Sequence, residues 1–93
     1  MSPEEEIVRA GQARDILAQP LVKEAINTMR EAFINGIRRS AFTDDKLREK
    51  LCHRLALLED FVGQLQTVIE TGKLAEETIR QKTLAERVRA AIG

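Results

Sequence analysis

The tightest constraint on this chain is a ladder of aliphatic residues, Leu51, Leu55, Leu58, Val62, Leu65 and Ile69, climbing in steps of four and three. Only an α-helix brings residues so spaced onto one face, and the alternation is that of a heptad seam. A helix striped in this way needs a second apolar face to cover it. Val22, Ile26, Met29, Phe33 and Ile37 supply one, again at helical spacing. The connection between them, SAFTDD, is short. A short link between two such helices predicts an antiparallel, coiled-coil-like hairpin over residues 20–71.

Local signals place the helix ends. Ser2 can cap a first helix, with Pro3 at its first position and Glu5 completing a capping box. That helix is expected to stop at Ala18, because Pro20 drives Gln19 out of the α region and opens the next helix. Its apolar residues (Ile7, Val8, Ala10, Ile16 and Leu17) make a patchy stripe broken by Gly11, so it is expected to be the least firmly held element. Thr43 is the expected N-cap of the third helix, with Asp44 and Asp45 in its first turn. Phe42 and Leu47 have the spacing of a hydrophobic staple. Gly36 costs its helix about 1 kcal/mol relative to Ala. Either another backbone approaches it closely or it is a plain helix flaw.

Thr71-Gly72-Lys73 reads as a break, with Gly72 as a left-handed cap. A fourth helix is then expected over 74–92, with sparse apolar positions at Leu74, Ile79, Leu84, Val88 and Ile92, docked on a partner or a neighbouring copy. The alternative is a helix that runs on through Gly72. The expected fold is therefore all-α: a single domain over 1–93, with the hairpin flanked by helices over 1–18 and 74–92. Ala, Glu, Lys, Leu and Arg make up about half the residues, as in long helices and coiled coils.

So short a chain is marginally stable unless it is stapled or associates. Cys52 is the only cysteine and His53 the only histidine, which excludes an intrachain disulfide and a Cys- or His-built zinc site. Association is the remaining route, so a homo-oligomer is expected. A net charge of zero argues against a generally basic nucleic-acid coat. No apolar run approaches the roughly 20 residues of a membrane span, and the acidic start MSPEEE is unlike a signal or transit peptide. A soluble, cytoplasmic protein is expected, or one carried in an assembly made there, not a secreted one.

Chemistry is sparsely represented. Cys52 and His53 are adjacent, so on a helix they point about 100° apart and do not face each other as nucleophile and base. The carboxylate pairs (Glu4 to Glu6, Asp44 with Asp45, Glu59 with Asp60, Glu76 with Glu77) read as helix caps and solvated faces. No catalytic residue, metal site, cofactor or small-molecule substrate is expected, and the chain reads as a non-enzyme. Arg38, Arg39, Lys46, Arg48, Lys50 and Arg54 form a basic hairpin tip that could touch phosphate non-specifically. A helix-turn-helix reader fits poorly, because the third helix is long and spends its face on leucine.

The string ILAQPLVKEAINTMREAFINGIRR followed by TDDKLREKLCHRLALLEDFVGQLQTVIETGKLAE resembles a family of short helical proteins encoded by tailed bacteriophages and prophages. The similarity covers roughly residues 15 to 77 and is most specific over Val68-Ile69-Glu70-Thr71-Gly72-Lys73-Leu74-Ala75. It departs at Cys52-His53, where the family carries an aromatic residue. The resemblance implies a virion-assembly or DNA-packaging context, with other phage assembly proteins as partners, and carries no catalytic residue. By analogy of fold alone, the hairpin is similar to the oligomerisation core of phage small-terminase subunits. Two alternatives stand beside this reading: a small nucleic-acid-binding or regulatory protein using the basic tip, and a phage inhibitor of a host protein.

Overall fold

The computed structural model describes residues 1–92 and, among them, is all-helical: α1 (Pro3–Ala18), α2 (Pro20–Arg39) and α3 (Asp45–Ile92). Its contacts gather into two compact units. Unit 1 joins residues 1–15 to the chain from Leu65 onward, and unit 2 covers residues 16–64.

In unit 2, Gln19 leaves the helical region (φ −64°, ψ 126°) and Pro20 opens α2, as the proline predicts. Ser40 ends α2 in extended conformation, its backbone N–H and its hydroxyl both donating to the Ile37 carbonyl. The start of α3 corrects the expected cap by one residue. Asp44 is the N-cap: its Oδ1 accepts the Leu47 N–H at 3.2 Å, and its carbonyl accepts the Arg48 N–H. Asp is the stronger cap, and Asp44 also closes a turn by donating its N–H to the Ala41 carbonyl at 2.9 Å. The shift removes the expected staple. Phe42 is 94% exposed and Leu47 is exposed too. Arg48 holds the turn instead.

Two contacts put α2 beside the first part of α3. Arg30 meets Glu59, and the space a methyl group would fill at Gly36 is taken by the Leu51 side chain. Residue numbers rise along α2 as they fall along α3. In this unit Leu58 and Val62 are buried, with Val22, Ile26, Phe33, Ile37, Leu51 and Leu55 half-buried. Gly36 thus admits a leucine side chain rather than a backbone, a case between its two readings.

Unit 1 overturns two expectations. α3 does not break at Thr71-Gly72-Lys73, and residues 74–92 are not a separate helix; α3 continues through Gly72 to Ile92, and no described glycine has a positive φ. Gly72 is there for proximity. A Cβ built on it would lie 2.1 Å from the Ala10 Cβ and 3.0 Å from the Glu6 carbonyl oxygen. α1 is packed closely where its small residues lie. Ala10 is 0% exposed, and Ala13 and Ala75 are also buried, so small residues let two backbones close on each other. Ser2 caps α1, its Oγ accepting the Glu5 N–H at 3.2 Å. Beyond Gly72 the helix is fastened locally: Lys73 pairs with Glu70, Arg80 with Glu77, and the Thr78 hydroxyl donates to the Leu74 carbonyl. The six seam residues are shared between the units, since Leu65 and Ile69 lie half-buried in unit 1.

Gly72→Ala forces α1 and α3 apart. Overpacking of this kind costs about 1–3 kcal/mol, against which the better helix propensity of Ala returns up to about 1. We expect a net loss of about 1–2 kcal/mol in urea unfolding. Gly11→Ala, whose methyl group meets nothing within 4 Å, should instead gain about 0.5–1 kcal/mol.

Candidate functional site

The most site-like feature is an apolar groove in unit 2, with Val22, Ala25, Ile26, Met29 and Phe33 of α2 on one side and Leu57, Leu58 and Phe61 of α3 on the other. It encloses about 510 Å³, and Arg54 is the one charged residue lining it. Four of the predicted seam residues of α2 border it, and Leu58 forms part of its floor. Met29 is 47% exposed. Leu57 and Phe61, 71% and 57% exposed, were not part of the predicted seam. Their signal was present in the sequence: they sit four apart, flanking Leu58, as a second apolar stripe beside the first.

One ion pair spans the two helices. Arg30 Nε donates to Glu59 Oε1 at 2.6 Å and Arg30 Nη2 to Oε2 at 3.3 Å, in the two-pronged geometry that suits a guanidinium and a carboxylate. Arg30 Nη1 also donates to Asn27 Oδ1. The Arg30 hydrogen bonds, and then its charge, hold the Glu59 carboxyl below its ordinary range and raise the guanidinium in turn. No local spacing announces this pair, since its members lie 29 positions apart.

The predicted phosphate contacts divide. Arg48 is engaged at the turn. Its Nε donates to Ser40 Oγ at 3.2 Å, its Nη2 to the carbonyls of Ala41 and Phe42 at 2.8 and 3.2 Å, and its Nη1 pairs with Asp45 at 2.9 Å. It clasps the turn. Lys46, Lys50 and Arg54 follow one another at steps of four along α3, and together with Glu49, His53 and Leu57 they line a shallow, open depression that adjoins the groove. These three, with Arg38 and Arg39 at the end of α2, form no ion pair among the described residues.

Cys52 is a free, exposed thiol and His53 is exposed beside it. Several carboxylates serve local structure: Asp44 caps, Asp45 pairs with Arg48, Glu59 with Arg30 and Glu77 with Arg80. Among the described residues no three His, Cys, Asp or Glu side chains converge as metal ligands would, and no helix is long and apolar enough to cross a membrane. The last stretch of α3, residues 80–92, is exposed throughout. Compared with known proteins, the chain matches no family model, no curated protein and no solved structure.

Two outcomes follow from these contacts. Because the folded-state pKa of Glu59 is depressed, its stabilisation is complete above the ordinary carboxylate pKa of about 4.3 and fades as pH falls through the lower folded value. Urea midpoints measured from neutral pH into that acid range should fall less steeply for Glu59→Gln than for the parent. Replacing Arg48 with Met removes four hydrogen bonds at the turn and should lower unfolding free energy by about 1–2 kcal/mol, whereas Lys50→Gln should leave it within about 0.5.

Proposed function

We propose that this chain is a non-enzymatic, self-associating helical protein that serves as an assembly or DNA-packaging accessory of a tailed phage. The antiparallel α2–α3 hairpin is its oligomerisation core. One observation carries the self-association: in unit 2 only Leu58 and Val62 are buried to below a tenth, while Met29, Leu57 and Phe61 stand open along the groove. Apolar surface so arranged marks an interaction site in a water-soluble helical protein. A short helical chain whose one cysteine, Cys52, is free is stabilised by association. The phage context rests on the resemblance over residues 15–77, and the other phage assembly proteins are its expected partners there.

Light scattering behind gel filtration, run over a dilution series, tests this. The proposal expects a mass at least twice 10.5 kDa at micromolar concentration, falling on dilution. A stably folded monomer throughout contradicts it.

The basic face favours a second reading, a small nucleic-acid-binding or regulatory protein. Its motive is the set Arg38, Arg39, Lys46, Lys50 and Arg54, all without an ion-pair partner among the described residues. On this reading duplex DNA binds and weakens steeply with added salt, and Lys46→Gln/Lys50→Gln reduces the salt slope by about two. Binding that is absent or indifferent to salt removes it.

A further inference from the structure

The groove has a neighbourhood that narrows its occupant. One step around α2 from Met29 lies a stripe of Leu21, Ala25, Thr28 and Ala32, all exposed and none charged. Across the groove, Leu57 and Phe61 continue the same uncharged surface, and only Arg54 at one end carries a charge. Elsewhere the chain is a third charged, so a face this neutral stands apart from its surroundings.

We propose that this face is the contact between two copies of the chain: an isologous dimer in which the α2–α3 pairs of two protomers pack into a four-helix arrangement. The inference rests on the self-association reading and names its surface. Two arguments select a second copy. A twofold contact sets a patch against itself, so any cluster of like charge would be doubled and repelled. The groove itself holds one charge, Arg54 at its end, and the basic depression of Lys46 and Lys50 meets it only at that edge, through Arg54 and Leu57. The second argument is area. Leu21, Met29, Leu57 and Phe61 are 74%, 47%, 71% and 57% exposed. At roughly 200 Å² per bulky side chain they leave on the order of 500 Å² of apolar surface on each chain. Doubled by the twofold axis, this reaches the ~1,000 Å² that a specific interface needs, before Ala25, Ala32 and the half-exposed groove floor are added.

The test compares sedimentation equilibrium of the parent chain with three variants: Phe61→Glu, Thr28→Glu and Val88→Glu. Phe61 and Thr28 lie on the proposed face; Val88 is an equally accessible apolar position on the end of α3. Thr28 is exposed on its helix, so a charge there repels the second copy without touching the protomer's own packing, and it decides the matter should Phe61→Glu fold poorly. We expect Phe61→Glu and Thr28→Glu to weaken dimerisation by about thirtyfold or more, as for a central interface residue. Val88→Glu should leave it unchanged. If the parent associates but only Val88→Glu dissociates it, the face is wrong while self-association stands. A parent chain that stays monomeric overturns both.

Discussion

A helix packed against one neighbour can bury one stripe of its surface and no more, and within each unit of this chain the packing is pairwise. α2 covers one side of the first part of α3. α1 lies against a stretch of α3 further on. In the first pairing the hidden stripe is aliphatic and centres on Leu58 and Val62. In the second its fully buried members are alanine and glycine, with Leu65 and Ile69 half-buried, and the backbones come close enough that Gly72 has no room for a methyl group. Burial of three alanines returns little hydrophobic free energy at ~0.8 kcal/mol per methylene-sized group. Close backbone contact and the dispersion it brings must supply much of what holds α1.

The same geometry explains what is left over. With one stripe of each helix satisfied, residues a step further around remain in water, and here many of them are apolar. Polar chemistry is used mostly to fix local structure: Asp44 caps α3, Arg48 ties down the turn, and Arg30 bridges to Glu59. These interactions set the register between α2 and α3 and thereby fix the shape of the groove that Met29, Leu57 and Phe61 present.

Much of this was legible in the sequence, and the exceptions share a cause. Periodicity located α2 and the seam of α3, and Pro20 located the junction before α2, because those signals act within a turn or two of the residues that carry them. Gly72 was misread because a glycine that ends a helix and a glycine that lets another helix approach look the same until the partner, Ala10, is in view. The reading of α1 missed its close contact for the same reason. It weighed the size of the apolar residues and not the closeness that Ala10 and Ala13 permit. Asp44 displaced Thr43 as the cap by one residue, which was enough to strand Phe42 in solvent. The carbonyl partners of Arg48 at Ala41 and Phe42 likewise leave no mark in a charge pattern.

The central claim is that association completes this fold, and the concentration dependence of the thermal midpoint tests it most directly. If unfolding is coupled to dissociation, helicity followed by circular dichroism should melt at progressively lower temperature across about a hundredfold dilution, in step with the loss of dimer mass. A midpoint that stays fixed over that range, with helicity undiminished, would contradict the account.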